Sequence, residues 1–277
     1  MNEGPVLCLR DVSFAYHGRE PALSHISVDI CRGERIAILG ENGAGKSTFF
    51  LYINGVLKRQ AGRIYYEGAE ITDKNIHMLR KKVGIIFQDA DSQMIAPSVR
   101  AEISFGPMNL KLDRQEVRKR VENAISFMNL EGFEDRPPHC LSGGEKKRVS
   151  IADIIAMEPE IYLFDEPTAS LDGKHAEQLE RILALLHEQG KTLIVSTHDI
   201  DFAYRWADRV LVFREGILAA DGTPFAIFSG EKLCREVGLK CPTLLRIGKI
   251  LEEKGLLKEN GRAPRTVEEL ETLLRGE

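Results

Sequence analysis

A glycine-rich stretch, Gly40–Ser47, has the residue types and the spacing needed to bind phosphate. Its sequence, GENGAGKS, matches the pattern GxxxxGK[ST] and lies between an apolar run typical of a strand and a segment typical of a helix. Glycines allow such a loop to turn its N–H groups towards an anion, and the following helix adds the positive end of its dipole. We therefore predict that Lys46 binds the β- and γ-phosphates of a nucleotide and that the Ser47 hydroxyl ligates Mg²⁺.

Two acidic residues follow another apolar run. Residues Ile161–Phe164 are typical of a buried strand, and Asp165 and Glu166 come next, before Pro167. Because ligands of parallel α/β sheets bind at the carboxyl ends of the strands, we expect these acids to lie beside the glycine-rich loop. Asp165 would hold Mg²⁺ through a water, and Glu166 would orient or deprotonate an attacking water. Taken alone, the same residues could form an ordinary polar turn after a core strand.

A second helix start with glycines occurs at residues 141–145, LSGGE. Ser142 and Glu145 have the spacing of a capping box, which by itself needs no ligand. The pair Gly143 and Gly144 is not explained in that way, since each glycine in a helical turn costs about 1 kcal/mol relative to alanine. Two glycines are expected where a phosphate approaches the backbone N–H groups closely. The chain thus carries two phosphate-binding elements, which two copies could exchange.

The elements that position these residues follow from hydrophobic periodicity. Residues 6–31 alternate as an antiparallel pair of strands with a bulge at Arg10–Asp11, and residues 113–157 are predicted to be mostly helical. The chain becomes helical again after Pro242, where Thr266 and Glu269 are spaced as a capping box. Alternating strands and helices indicate a parallel sheet with crossover helices. Further strands are predicted at Arg35–Leu39, Arg63–Glu67, Val83–Phe87, Ile161–Phe164, Thr192–Ser196 and Val210–Phe213.

Composition argues against several classes of protein. The 277 residues include 38 Lys and Arg against 42 Asp and Glu, for a net charge of -4, whereas proteins that grip duplex DNA usually have a basic excess. Apolar runs are far shorter than the roughly 20 residues that span a bilayer, and no secretory signal is visible. The 5 cysteines are scattered, which favours reduced thiols over a zinc site. We expect a soluble intracellular protein that binds no nucleic acid.

With these motifs, the sequence resembles the ATP-binding-cassette (ABC) ATPases over nearly its whole length. Besides the elements above, it has Gln88 after the run Val83–Phe87, Ser170-Leu171-Asp172 after the acids, and His198 after the strand Thr192–Ser196. The resemblance implies an α/β fold, a P-loop NTPase of the ABC type. It implies a mixed, largely parallel sheet core with an N-terminal antiparallel β subdomain. The implied domains are an ATPase domain at 1–240, containing a helical subdomain at about 108–157, and a C-terminal helical extension at 241–277.

The same resemblance implies roles for single residues and the cofactors ATP and Mg²⁺. Tyr16 would stack on adenine, Gln88 would contact Mg²⁺ and the attacking water, and His198 would contact the γ-phosphate. Asp172 would tie two subunits together. Each of Tyr16, Gln88 and His198 could also be an ordinary strand or loop residue. The other nucleotide contacts would come from the loop of one chain and the signature of a second: Asn42, Gly43, Ala44, Gly45, Lys46, Ser47, Thr48, Ser142, Gly143 and Gly144.

The segment after Gln88 resembles a narrower group within that family. Residues 87–99 and the sequence GPMNL at 106–110 are similar to the energy-coupling-factor (ECF) importers of vitamins and transition metals, and closest to their cobalt/nickel branch. This implies an ATPase subunit that powers import by ATP-driven dimer closure. It would be peripheral, at the cytoplasmic face of the cell membrane, and would contact integral membrane subunits through residues about 88–110.

Several alternatives remain open at this stage. The chain could serve a vitamin-type ECF importer or another ABC transporter, and its ATPase partner could be a second copy or a paralogue. A soluble assembly ATPase of the same family is a further alternative. A DNA-repair relative is disfavoured, because only 95 residues separate Lys46 from Ser142, without a heptad run or a CxxC pair.

Overall fold

The computed structural model describes residues 4–17, 20–89, 93–168, 173–257 and 263–275, and the elements below lie in these ranges. The strands are β1 (Leu7–Ala15), β2 (Pro21–Ile30), β3 (Arg35–Leu39), β4 (Ala61–Tyr66), β5 (Ala69–Glu70), β6 (Val83–Ile86), β7 (Ile161–Asp165), β8 (Thr192–Ser196), β9 (Arg209–Arg214) and β10 (Ile217–Gly222). The helices are α1 (Lys46–Ile53), α2 (Ile76–Lys82), α3 (Val99–Asn109), α4 (Arg114–Phe127), α5 (Gly143–Met157), α6 (Gly173–Glu188), α7 (Ile200–Trp206), α8 (Pro224–Ser229), α9 (Glu231–Glu236), α10 (Thr243–Glu253) and α11 (Val267–Arg275).

The strands form two sheets. The N-terminal sheet has the order β2-β1-β4-β5 and is antiparallel, and the central sheet has the order β10-β9-β3-β8-β7-β6. In the central sheet β9, β3, β8, β7 and β6 run parallel, and β10 pairs antiparallel with β9 at the edge. The register shift between Leu9 and Val12 and the φ of 52° at Asp11 confirm the predicted bulge. This is the mixed α/β fold with an antiparallel β subdomain that the motifs predict.

The hydrophobic core lies on both faces of the central sheet. Along β3, Ile36 and Ile38 pack with the N-terminal sheet and α1, whereas Ala37 and Leu39 pack on the helical side. All four are at most 1% exposed. A parallel strand buried on both faces reads as a continuous apolar run, which is why these strands can be recognised in the sequence.

Three helices, α3, α4 and α5, pack against one another beside the central sheet. Helix α3 begins at Val99, before the helical region that the sequence predicts, and Ser98 caps it by accepting a hydrogen bond from the Ala101 N–H at 3.3 Å. Its apolar residues Val99 and Ile103 are fully buried in the core on this side of the sheet. The group of three helices therefore begins with α3, immediately after the segment that follows Gln88.

The C-terminal extension packs on the helical side of the core through Leu245 of α10, which is fully buried. The predicted capping box at α11 is half confirmed, since Thr266 Oγ1 accepts from the Glu269 N–H at 3.2 Å. The Glu269 carboxylate accepts instead from the Arg265 N–H at 2.7 Å, one residue earlier than predicted. None of the helices in the described ranges combines the length and hydrophobicity needed to span a membrane.

One carboxylate at the start of β7 joins the two sheets. Glu160 accepts hydrogen bonds from Arg32 at 2.6 Å, from the Tyr66 hydroxyl at 2.7 Å and from Lys82. Burial acts to raise the pKa of Glu160, but these three donors outweigh it and lower the pKa to about 2. Because the unfolded chain has a glutamate pKa of about 4.3, the ionised carboxylate stabilises the fold above that pH.

We expect Glu160→Gln to lower the free energy of unfolding at pH 7 by roughly 1–3 kcal/mol, as the lowered pKa implies through linkage. The wild-type protein should lose this contribution between about pH 5 and pH 2, whereas the variant should not. Urea unfolding at pH 7 and pH 3 measures both effects. Glu122→Gln, which breaks the exposed pair with Arg118, is the control and should leave the stability nearly unchanged, because solvent screens exposed ion pairs. An equal loss in both variants would contradict the special role of Glu160.

Candidate functional site

The glycine-rich loop connects β3 to α1 at the carboxyl edge of the parallel strands. Gly43 and Gly45 have φ angles of 83° and 104°, in the left-handed region that favours glycine. A Cβ at Gly45 would lie 2.6 Å from the carbonyl oxygen of Ala22, and one at Gly40 would lie 2.3 Å from that of Phe213. The turn therefore favours glycine at 43 and 45, and the close packing of the loop requires it at 40 and 45.

Lys46 begins α1 and is 7% exposed. Its Nζ donates to the carbonyl oxygens of Gly40 at 2.6 Å and Glu41 at 3.3 Å, and lies 3.7 Å from Glu166 Oε1. Burial lowers the pKa of Lys46, while the carboxylates of Glu166 and Asp165 act in the opposite direction. The ammonium group is thus held against the loop backbone, next to the two acids that the sequence predicts to be its neighbours.

Ser196, at the end of β8, positions both acids. Its hydroxyl donates to Asp165 Oδ1 at 2.6 Å and accepts from the Glu166 N–H at 3.0 Å. Glu166 has a φ of 46°, so the chain leaves β7 in a left-handed turn at this residue. Glu166 Oε1 is buried and forms no hydrogen bond within the described residues, although His198 Nε2 lies 2.9 Å away. That oxygen retains the capacity to accept a proton or a hydrogen bond from a water.

His198 brings three of the predicted site residues together. Its Nε2 lies 2.9 Å from Glu166 Oε1, 3.1 Å from Asn42 Oδ1 and 3.4 Å from Lys46 Nζ. If Nε2 carries the proton, it can donate to the oxygens of Asn42 or Glu166 but cannot accept from Lys46. The imidazole is half exposed, so its position beside the loop remains open to a ligand.

A cavity of about 170 Å³ connects the loop to the acids. Ser47, Thr48, Gln88, Asp165 and Glu166 all line it. Mg²⁺ binds hydroxyl, amide and carboxylate oxygens. It usually takes only one or two ligands from the protein, and waters and phosphates supply the rest. The described residues contain no group of three His, Cys, Asp or Glu able to hold a metal by themselves. The donor set therefore fits Mg²⁺ bound together with a nucleotide.

Tyr16 lies next to the loop on the side of the N-terminal sheet. Its hydroxyl is 3.4 Å from Thr48 Oγ1, and its ring meets Phe14 edge-on at 5.0 Å between centroids. The side chain is 39% exposed, so part of it remains accessible beside the first turn of α1. Stacking on adenine stays a prediction for this residue.

The signature at 141–145 does not line the cavity of its own chain. Ser142 and Glu145 form a complete capping box at the start of α5, which confirms the structural part of the pattern. A Cβ at Gly143 would meet nothing within 4 Å, so this chain alone does not require glycine there. Ser142 and Gly143 are exposed at an open helix start, as expected if a ligand held by another chain approaches them.

Lys147, which the sequence analysis missed, fixes the backbone at Gln88. The residue is 7% exposed, and its Nζ donates to the carbonyl oxygens of Phe87 at 2.8 Å and Gln88 at 3.3 Å. Burial lowers the pKa of Lys147 to about 8, although Asp165 and Asp89 act to raise it. In the sequence it stands in a basic run, KKR, that is typical of a solvated helix face. The sequence offers no signal that separates it from its neighbours, because its burial depends on contacts with the distant chain around Gln88.

The structure thus brings together most of the predicted site residues. The loop residues, Gln88, Asp165 and Glu166 share one cavity, and His198 and Tyr16 lie at its margins. Ser142, Gly143 and Gly144 lie elsewhere in the chain, at the start of α5. Asp172 and its neighbours Ser170 and Leu171 lie outside the described residues.

Comparisons with known proteins agree with this geometry. Residues 23–169, from β2 to just beyond Glu166, match the family described as ABC transporter. The energy-coupling factor transporter ATP-binding protein EcfA2 of Methanospirillum hungatei is 46% identical over 265 residues, which are 95% of this chain and 66% of that protein.

Two solved structures are similar over most of the chain. The cbiO1 structure from Clostridium perfringens, described as part of the ABC transporter complex cbiONQ, has a TM-score of 0.74 and 41% identity, covering 90% of this chain and 100% of that one. A dimeric ATP-binding cassette in a post-hydrolysis state, bound to ADP and phosphate, has a TM-score of 0.70 and 31% identity, covering 79% and 98%. The chain therefore belongs to the ABC transporter family and is an ATPase of that family.

Proposed function

We propose that this chain is the ATP-hydrolysing subunit of an ECF-type importer of cobalt or nickel ions. The main support is its 41% identity to cbiO1, a component of the cbiONQ transporter complex, over 90% of this chain. The relative from Methanospirillum hungatei is also named as an ECF transporter ATP-binding protein. The sequence GPMNL at 106–110, which resembles the cobalt/nickel branch, supports the choice of cargo.

The site residues have distinct roles in this proposal. Lys46 binds the β- and γ-phosphates, and His198 contacts the γ-phosphate. Ser47, Gln88 and, through a water, Asp165 would hold Mg²⁺. Bound Mg²⁺ supplies positive charge that neutralises the phosphates. Glu166 accepts the proton of the attacking water through Oε1, the buried oxygen that has no hydrogen bond within the described residues. Gln88 orients that water, and Lys147 holds Gln88 in place by donating a hydrogen bond to its carbonyl oxygen.

Two chains are needed to complete each site. The loop of one chain and the signature of another, at Ser142 and Gly144, would enclose the same nucleotide, because one chain keeps these elements apart. The charge of the γ-phosphate is neutralised only when both halves meet, so ATP favours the closed dimer and hydrolysis releases it. The extension at 241–277 would contribute to pairing through apolar residues exposed in the single chain: Ile247, Ile250, Leu256, Val267 and Leu274.

The segment after Gln88 is the proposed contact with the membrane subunits. Glu102 is 5% exposed and accepts from the N–H groups of Ile95 at 3.0 Å and Ala96 at 2.7 Å, which fixes this segment against α3. Ile95, Phe105 and Met108 remain 76%, 53% and 64% exposed. Large apolar side chains left exposed within one short segment favour a surface that a partner covers. Residues 90–92 of the proposed 88–110 contact lie outside the described residues.

Beside this segment, α3 and α4 enclose a groove of about 560 Å³. It is lined by apolar side chains such as Met108 and Val117 and by the arginines Arg100, Arg114 and Arg118, of which Arg118 pairs with Glu122 in the same lining. A protein segment with apolar and acidic residues would fit this lining. The proposal therefore places the chain at the cytoplasmic face of the cell membrane, held there by its partners.

The proposal is tested by co-expression of the tagged chain with the membrane proteins encoded beside it. We expect an integral membrane protein to co-purify in detergent, and cells with the complex to accumulate radioactive cobalt or nickel at least several-fold above cells carrying Glu166→Gln. Uptake of a vitamin instead of a metal ion would support the vitamin-type alternative. Recovery of soluble partners alone would favour an assembly ATPase and contradict the transport proposal.

A further inference from the structure

We propose that the C-terminal extension positions His198 by holding both ends of α7, the helix that follows this histidine. The inference rests on the proposed role of His198 at the γ-phosphate. It assigns to the extension an effect on turnover that is separate from any part in dimer formation. Thr243 and Arg265 are the positioning residues, and neither of them lines the cavity that contains the loop and the acids.

The first contact is at the start of α7. Asp199, next to His198, caps the helix by accepting from the Phe202 N–H at 2.8 Å. Two residues later, the Asp201 carboxylate accepts from the Thr243 N–H at 2.6 Å and from the Thr243 hydroxyl at 2.9 Å. Thr243 is the first residue of α10, so the positive end of that helix dipole also faces Asp201. The beginning of the extension is thereby attached three residues from His198.

The second contact is at the end of α7. The Arg265 guanidinium donates to the carbonyl oxygens of Tyr204 at 2.9 Å and Arg205 at 3.1 Å, and also to that of Ala207. Carbonyls at a helix C-terminus lack partners within the helix, and a cation there is favoured by the helix dipole. One side chain of the extension therefore binds three carbonyls at the other end of α7.

Arg265 is itself held in place by the extension. Its own N–H donates to the Glu269 carboxylate in α11 at 2.7 Å. The preceding Pro264 packs so closely on α10 that a Cβ at Gly248 would lie 3.1 Å from the proline Cδ. The contacts at the two ends of α7 thus belong to one packed unit, in which α10 and the chain from 264 to 269 touch each other.

A displacement at one end of α7 should also move its other end, because the helix is short. It has only 7 residues, too few to be stable as an isolated helix, so tertiary contacts determine its position. Phe202 and Trp206, one turn apart, are buried and stacked with 5.3 Å between ring centroids. A change at Arg265 or Thr243 should therefore move the helix, and with it the loop that carries His198.

The test compares Arg265→Ala and Thr243→Val with the wild-type protein and with Arg275→Ala. Arg275 lies in α11 and forms only an exposed pair with Glu271 in the described structure, so its replacement should leave turnover unchanged. Valine keeps the Thr243 N–H and removes its hydroxyl. We expect kcat per nucleotide-binding site to fall roughly tenfold in Arg265→Ala and less in Thr243→Val, with KM for ATP within about twofold, because small misplacements of a reacting group lower the rate steeply.

NMR of the protein labelled with carbon-13 in its histidine rings gives an independent readout. The His198 signal is identified by its absence in His198→Gln. We expect it to shift in Arg265→Ala and to return towards the wild-type position in Arg265→Lys, which restores a donor. A lower melting temperature with unchanged kcat per site and an unshifted His198 signal would show that Arg265 only stabilises the fold, and would overturn the inference.

The same data separate this inference from the proposed function. If His198→Gln keeps wild-type turnover, the proposed role of His198 is wrong, whereas a shifted ring signal in Arg265→Ala would still support the link between the extension and His198. If His198→Gln loses turnover while Arg265→Ala leaves both kcat and the ring signal unchanged, the role of His198 stands and the inference is wrong.

Discussion

Replacing Glu166 by glutamine should lower ATP turnover by about 100-fold or more while ATP still binds. General-base catalysis contributes roughly 10²–10⁴-fold to enzymatic rates, and an amide cannot accept the proton of the attacking water. The substitution keeps the size of the side chain, and the contacts of Ser196 with this residue involve the Glu166 backbone N–H. The fold of the turn should therefore survive, so the loss is expected in kcat and not in nucleotide affinity.

The same variant should accumulate as an ATP-bound dimer, since the step that releases the two chains is blocked. Size-exclusion chromatography with light scattering, with and without ATP and Mg²⁺, measures the oligomeric state, and a phosphate-release assay measures turnover. Glu160→Gln, the same substitution at the opposite end of the β7 strand, is the matched control and should hydrolyse ATP at nearly the wild-type rate below its unfolding temperature. Near-normal hydrolysis by Glu166→Gln would show that Glu166 is not the base that accepts the proton of the attacking water.

Much of the central fold could be predicted because its strands are buried on both faces. Residues such as Ile36 and Leu163 belong to uninterrupted apolar runs, and the motif residues follow directly where those runs end. The carboxyl edge of a parallel sheet then places Lys46 near Asp165 and Glu166 without any knowledge of side-chain contacts. The predicted neighbourhood of the loop and the acids is confirmed for this reason.

The contacts that hold these residues in place could not be predicted in the same way. Ser196 reads as the end of a strand, and its two hydrogen bonds to the acids depend on the register between β8 and β7. Lys147 reads as part of a solvated basic run, yet it is buried because the chain around Gln88 passes over α5. Arg265 binds carbonyls about 60 residues earlier in the chain. Such pairings are set by tertiary packing and leave no periodic pattern.

Replacing Lys46 by alanine should weaken ATP binding on the order of 100-fold or more. A hydrogen bond to a charged group contributes about 1.5–3 kcal/mol, and the variant would lose the bonds from the Lys46 ammonium to two phosphates at once. The variant would also lose the contacts of Nζ with the Gly40 and Glu41 carbonyls, which hold the loop in its phosphate-facing shape. Because ATP is needed to close the dimer, Lys46→Ala should also fail to dimerise when it is combined with Glu166→Gln.

Equilibrium binding of a fluorescent ATP analogue measures this effect, with Lys191→Ala as the matched control. Lys191 also donates to a backbone carbonyl, that of Pro159 at 3.0 Å, but Pro159 lies before β7, at the end of the strand opposite to the acids. Its loss should leave ATP affinity unchanged. Retention of wild-type affinity by Lys46→Ala would mean that the phosphates bind elsewhere. The roles inferred for Ser47, Asp165 and Glu166 would then also be wrong, because each depends on a triphosphate that lies along this loop.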